Sequence, residues 1–137
     1  LHSTEWGNPD YMIVDLPPGT SDAPLTVMQT LNLDGFVIVT TPQELAILDA
    51  KRSINMVRKM NLNVFGIVEN MSGGVFGTGG GQALAEEMGI PFLGSTDMRA
   101  EYTNSTGPAA LESDDVTAEY TTIAEKLQVR IAAVQAG

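Results

Sequence analysis

The chain has 137 residues, of which 43% are hydrophobic, so it suits one domain with a buried core and not a disordered chain. Its formal net charge of −10 argues against broad binding to nucleic acid or anionic membranes, which both need a basic surface. The absence of cysteine excludes disulfides, thiolate zinc sites and cysteine-ligated iron–sulfur clusters held by this chain.

The period of the hydrophobic pattern switches repeatedly between that of a strand and that of a helix. Short apolar runs that end at proline, glycine or charged residues predict four buried strands, at residues 11–14, 35–40, 64–68 and 91–94. Helical spacing predicts four helices, at residues 23–31, 44–61, 82–88 and 117–135. Residues 95–116 are predicted to be irregular. The alternation indicates an α/β fold, a parallel sheet wound with helices, in a single domain over residues 1–137.

Polar residues follow the first three predicted strands. Asp15 follows the first, Thr41 and Pro42 the second, and Glu69 and Asn70 the third. Ligands of open α/β sheets bind beyond the carboxyl ends of the strands, so these residues are candidates for a binding site. An unpaired buried carboxylate is costly, but Asp15 is well placed to hold a hydrated Mg²⁺ beside a phosphate. The alternative is that Asp15 only caps a turn or the helix at 23–31.

Four segments together resemble a known family. They are DYMIVDLPPGTSDAPLTVMQ (10–29), DGFVIVTTPQELAILDAKRSINMVRK (34–59), GIVENMS (66–72) and FGTGGGQALAEEMGIPFLG (76–94). They closely resemble the Mrp/Nbp35 family of P-loop ATPases, which belongs to the deviant-Walker group with MinD and ParA. The order of DLPPGTSD, VTTPQ and VENMS is highly specific, whereas each motif alone would be weak. The resemblance is firm over residues 6–94 and looser beyond.

The resemblance implies roles for most of the residues at the strand ends. Asp15 is similar to the Walker B aspartate, which holds Mg²⁺ through water, and Thr41, Pro42 and Gln43 match a turn near the nucleotide and the dimer face. Four residues after Asp15 resemble the family's switch that senses the γ-phosphate: Pro17, Pro18, Gly19 and Thr20. Asn70 matches the asparagine whose amide reads the adenine edge, a task that suits a group that both donates and accepts. The alternative is that Asn70 only forms a turn at the strand end.

Two features of the family are missing from the sequence. A Walker A motif needs a glycine-rich turn followed by lysine, but the only glycine-rich run, residues 77–82, has no lysine and lies after the Walker B strand. We therefore expect the chain to be the C-terminal portion of a family member, unable to hydrolyse ATP alone. The CPxC pair of many members is also absent between residues 72 and 76, so no iron–sulfur cluster is expected on this chain. Residues 77–81 are predicted to be a flexible lead-in to the next helix, with a backbone anion nest as the alternative.

The resemblance implies a cytoplasmic protein that, when complete, binds and hydrolyses ATP with Mg²⁺ and serves iron–sulfur cluster assembly or carriage. Two alternatives stay open: a MinD/ParA-like positioning or partitioning ATPase, and a non-catalytic interaction module without a P-loop. The expected partners are ATP, iron–sulfur client proteins, and a second copy or a missing N-terminal half, because loss of the P-loop strand would expose an apolar sheet edge. Nucleic acid and membrane are not expected, and the apolar stripe of the last helix is predicted to pack on the sheet.

Overall fold

The computed structural model describes residues 4–17, 22–104 and 106–136. Their regular elements, in chain order, are α1 (Asp22–Thr30), β1 (Phe36–Thr40), α2 (Glu44–Lys59), β2 (Val64–Ser72), α3 (Gly80–Met88), β3 (Phe92–Asp97), α4 (Glu101–Asn104), α5 (Ala109–Glu112) and α6 (Asp114–Gln135). A single 3₁₀ turn, Gly74–Phe76, lies between β2 and α3 in this described part of the chain. The order of strands and helices confirms the predicted α/β class.

The three strands form a parallel sheet in the order β1-β2-β3. The central strand, β2, is covered on both faces. Ile67 belongs to an apolar cluster with residues of α2 and α3. Its neighbour Val68 pairs with Gly94 of β3, and a Cβ at Gly94 would meet Ile123 of α6 at 2.8 Å. Since successive side chains of a strand point to opposite faces, α2 and α3 cover one face and α6 covers the other.

The last helix packs as the sequence predicts. α6 contacts β3 and β2, and Val116 in its first turns is fully buried. The apolar stripe of α6 is therefore part of the domain's packing. Within the described ranges, no helix has both the length and the apolar character needed to cross a membrane.

Three of the four predicted strands are confirmed, and the structure extends two of them. β2 continues to Ser72 and β3 to Asp97, so both strands include polar residues that follow the predicted apolar runs.

The prediction that residues 95–116 are irregular is wrong. This region holds the end of β3, the four-residue helices α4 and α5, and the start of α6. Such short helices have no apolar periodicity to detect, and α6 begins early because Asp114 and Asp115 suit the positive end of the helix dipole.

The predicted first strand, at residues 11–14, is wrong. Residues 11–17 have no regular structure, and Ile13 is 88% exposed. A strand that is apolar on both faces needs neighbouring strands and covering helices. Among the described residues the sheet ends at β1, so this segment has no strand to pair with.

Candidate functional site

Three pieces of backbone meet beyond the carboxyl ends of β1 and β2. They are the turn at Thr41 and Pro42, the end of β2, and the glycine loop that leads into α3. The turn at Thr41 and Pro42 lies very close to the glycine loop, since a Cβ built on Gly80 would lie 2.9 Å from the carbonyl oxygen of Pro42. Glycine at position 80 therefore lets the turn after β1 rest directly on the start of α3.

A buried carboxylate holds the glycine loop against β2. Glu69 is 1% exposed, and its Oε1 accepts hydrogen bonds from Ser72 Oγ at 2.8 Å and from the Gly79 amide at 2.9 Å. Its Oε2 accepts a third bond from the Gly81 amide at 2.6 Å. Because these amides lie at the N-terminus of α3, the helix dipole also favours the negative charge there. The cost of burying this carboxylate is thus offset by specific donors.

This carboxylate decides what the glycine loop can bind. The loop leads into α3 as predicted, and its amides do hold an anionic group, as the alternative interpretation of residues 77–81 allowed. That group is the chain's own Glu69, however. A Cβ at Gly81 would lie 2.9 Å from Glu69 Cβ, so the carboxylate and the loop are packed together. The amides of Gly79 and Gly81 are therefore not open to a phosphate.

Asn70 lies on an irregular step at the end of β2. The register with β3 shifts between Glu69 and Ser72, and Met71 has a positive φ of 57°, a conformation that non-glycine residues seldom adopt. Asn70 Oδ1 accepts hydrogen bonds from the Met71 amide at 2.9 Å and from Thr96 Oγ1 at 2.8 Å. Its Nδ2 group makes no hydrogen bond within the part of the chain that the structure describes. Among the described residues, the side chain therefore offers an unbonded amino group at the carboxyl edge of the sheet.

Hydroxyl groups from three elements continue the network behind Asn70. Thr96 of β3 is 2% exposed, and the phenol of Tyr102 in α4 interacts with Thr96 and with Tyr120 of α6. Partial burial, and then the nearby Tyr120 phenol, raise the pKa of Tyr102 above its ordinary value. Thr96, Tyr102 and Tyr120 thus connect β3, α4 and α6 behind Asn70.

An ion-pair cluster ties the end of β3 to α6. Arg99 donates to Glu119 at 2.6 Å and lies 3.4 Å from both Asp97 and Asp115. The hydrogen bond to Glu119 is the main cause that raises the pKa of Arg99. Arg99 pairs with residues 16 and 20 positions away, so no local sequence pattern predicts this cluster.

The structure brings some of the candidate residues together and leaves others apart. Thr41 donates a hydrogen bond to the Gln43 side chain at 3.4 Å, and Pro42 contacts Gly80. Asp15 is exposed and follows no strand, which corrects the prediction of a strand-end carboxylate. It has no hydrogen bond or ion pair with any of the described residues.

Three members of the predicted switch, Pro18, Gly19 and Thr20, lie outside the described residues, while Pro17 is exposed. No group of three or more metal-ligating side chains occurs in the described part. The only predicted metal ligand is Asp15, an exposed carboxylate with no partner among the described residues, and such a group fits a role in holding Mg²⁺ through water.

The importance of Glu69 was also missed, although a signal for it was present. Glu69 lies at the end of a predicted apolar strand, but the family resemblance implies no role for it. A carboxylate at a buried strand end needs a partner, and this holds for Glu69 as well as for Asp15. In the structure it is Glu69 that is buried and bonded, and Asp15 that is exposed.

The fold and its edge define a class of protein: an open parallel α/β domain with its candidate site in the loops beyond the strands' carboxyl ends. The family can be stated as well. The chain belongs to the family described as NUBPL iron-transfer P-loop NTPase, whose model matches residues 1–131. This confirms the resemblance to the Mrp/Nbp35 family.

Relatives and a solved structure agree with this assignment. The chain is 43% identical to an iron–sulfur cluster carrier protein of Pyrococcus abyssi, over 93% of this chain and 48% of the relative. It is 38% identical to one of Methanocaldococcus jannaschii, over 96% and 50%. A nucleotide-binding protein of Archaeoglobus fulgidus, solved in complex with ADP, matches with a TM-score of 0.64 and 36% identity, over 79% of this chain and 52% of that one. The chain thus spans about half the length of these proteins.

Proposed function

We propose that this chain is the part of an Mrp/Nbp35-type protein that contacts the base and the metal of bound ATP, and that the complete protein hydrolyses ATP in iron–sulfur cluster assembly or carriage. The observation that carries the proposal is the likeness to a protein solved with ADP, at 36% identity and a TM-score of 0.64. The relatives are named iron–sulfur cluster carrier proteins, which indicates an iron–sulfur cluster as the cargo.

The geometry of the edge supports a contact with the nucleotide base. Asn70 offers an amino group without a partner among the described residues. It follows Glu69, which pairs with Thr40 immediately before the turn at Thr41 and Pro42. A ring nitrogen of a purine is an acceptor that such a group can bind. In this proposal Asn70 therefore contacts the base, and Thr41 and Pro42 line the site.

We propose that Asp15 and the switch residues act at the phosphates of the bound nucleotide. Mg²⁺ neutralises charge on the phosphates when it is bound, and Asp15 is exposed and free to hold it through water. Pro17, Pro18, Gly19 and Thr20 follow directly and are proposed to sense the γ-phosphate. The glycine loop takes no part, because its amides hold Glu69.

The iron–sulfur cluster is the cargo and not a group held by thiolates of this chain, which has no cysteine. We further propose that the protein is cytoplasmic, meets iron–sulfur client proteins and works as a dimer. Exposed apolar surface supports association, since Val39 of β1, an edge strand of the sheet among the described residues, is 61% exposed.

Hydrolysis of Mg-ATP by the full-length gene product tests this function. Phosphate release is expected to fall about tenfold or more in Asp15→Ala. The matched control, Asp10→Ala, removes another exposed carboxylate of the same segment and should keep the parental rate. Equal rates for the parent and Asp15→Ala would contradict the assigned role, and a parent that releases no phosphate would contradict the ATPase function.

A further inference from the structure

A groove lies between the start of β3 and the second half of α6, at the opposite end of the strand from the candidate nucleotide site. It has a volume of about 440 Å³ and is lined by residues 91–93 and by side chains of α6 that include Lys126, Val129 and Arg130. We propose that this groove binds an extended acidic segment of a partner protein, which adds to β3 as a further strand. The inference goes beyond the proposed function, because it needs no contact with nucleotide or metal.

The edge of β3 at this groove is open to further pairing. In the described part of the chain, β3 pairs only with β2 and forms an edge of the sheet. Ile67 of β2 pairs with Phe92, and its amide donates to the carbonyl oxygen of Pro91 at 2.9 Å. In a parallel ladder with this bond, the neighbours of Phe92 bond to β2, so the N–H and C=O of Phe92 itself point away from the sheet. These two groups are placed to bond to an added strand.

The groove also gives the side chains of an added strand an apolar surface to pack on. Two apolar residues line it, Leu93, which is 1% exposed, and Val129 of α6, which is 71% exposed. Because side chains alternate between the two faces of a strand, every second side chain of the added segment lies over this surface. The partner segment therefore needs apolar residues at alternate positions.

The charges of the groove favour an acidic segment. Lys126 and Arg130 lie four positions apart in α6, so they are neighbours on one face of the helix and their charges repel. Neither makes an ion pair with a described residue, and the Nε of Arg130 is buried without a hydrogen-bond partner. The lining includes one carboxylate, Glu125, which is exposed and bonded to neither cation. A carboxylate on the added strand relieves the repulsion and accepts a hydrogen bond from Arg130.

The overall charge of the protein makes this preference specific to the groove. The chain carries 17 acidic and 7 basic residues, so its overall field repels an acidic peptide. Attraction for a carboxylate must therefore come from the two local cations. A peptide with a carboxylate should bind more tightly than its uncharged equivalent only if it lies at this groove.

Fluorescence polarisation with a labelled peptide tests the inference on the full-length protein, without ATP. The probe is a capped nine-residue peptide in which valine and threonine alternate and one glutamate replaces the central valine; the control peptide has glutamine there. The parental protein should bind the glutamate peptide roughly tenfold more tightly than the glutamine peptide. Arg130→Met should abolish this difference. Arg52→Met, which removes an exposed cation of α2, should preserve it.

Two further measurements locate the bound peptide. Val129→Asp places a negative charge at an exposed position of the groove, so it should weaken binding of the glutamate peptide roughly tenfold without disturbing the core. Hydrogen exchange of the Phe92 amide, followed by NMR, should slow when the peptide is bound, because this amide then has a bonding partner.

The inference is overturned if the parental protein shows no saturable binding of the glutamate peptide, or if it binds both peptides equally. Unchanged exchange of the Phe92 amide in the complex would also contradict it. If the parental protein binds no peptide and Val129→Asp changes only its oligomeric state, the groove is a contact between copies of the chain and the inference is wrong.

Discussion

Two segments of this chain look alike in sequence and differ completely in the structure. Residues 11–15 and residues 64–69 are both apolar runs that end in a carboxylate. The second is the central strand, with Ile67 fully buried and Glu69 1% exposed. The first is irregular, with Ile13 88% exposed. The difference shows that an apolar run forms a buried strand only where a neighbouring strand pairs with it and helices cover it.

The same contrast applies to the two carboxylates. Glu69 is bonded to two amides of the glycine loop and to Ser72, and it has a structural task. Asp15 has no partner among the described residues, which leaves it available to a ligand. The buried carboxylate of Glu69 thus serves stability, whereas a binding role for the exposed Asp15 is proposed.

The largest effect is expected from truncating the two isoleucines. Ile67→Ala should lower the free energy of unfolding by about 4 kcal/mol, because it leaves a cavity in the core. Ile13→Ala, the matched change in the exposed segment, should stay within about 0.5 kcal/mol. Urea denaturation of the chain measures both. A loss for Ile13→Ala as large as that for Ile67→Ala would show that residues 11–14 are packed after all.

A smaller loss is expected from neutralising the buried carboxylate. Glu69→Gln keeps the size of the side chain but turns an amino group towards an amide of Gly79 or Gly81, so stability should fall by about 2–3 kcal/mol. The control is Glu125→Gln, at an exposed position of α6, which should change little. Equal denaturation midpoints for the two variants would refute the role of Glu69 as the anchor of the glycine loop.

The smallest of these effects concerns the glycine that Glu69 touches. Gly81→Ala would place a Cβ 2.9 Å from Glu69 Cβ, and relief of this overlap should cost about 1–2 kcal/mol beyond the gain in helix propensity. Gln82→Ala changes an exposed residue in the same turn and serves as the control. Thermal unfolding followed by circular dichroism compares them. If Gly81→Ala were as stable as the control, the loop would be more loosely packed than described.

Much of the fold follows from local patterns in the sequence. The runs that became β1, β2 and β3 and the periodic segments that became α2, α3 and α6 are visible in their spacing. Gly89, directly after α3, adopts a left-handed φ of 61°, which is the conformation that favours glycine at a helix end. The exposed segment at 11–14 could not be predicted, because its state depends on strands elsewhere and not on its own residues.

The residues of the candidate site could also be predicted only in part from the sequence. Asn70, Thr41 and Pro42 were found because motifs mark them. Thr96 and Arg99 were not, since their partners lie 26 and 20 residues away and no short pattern records those contacts. The family resemblance identified Asn70 as a contact to the base, but only the structure shows that its oxygen is already bonded twice.

Calorimetric titration of the full-length protein with ATP, with and without Mg²⁺, tests the central claim most directly. The account predicts saturable binding that Asn70→Ala weakens under both conditions and that Asp15→Ala weakens only when Mg²⁺ is present. Absence of ATP binding, or equal weakening by Asp15→Ala in the presence and absence of Mg²⁺, would contradict it.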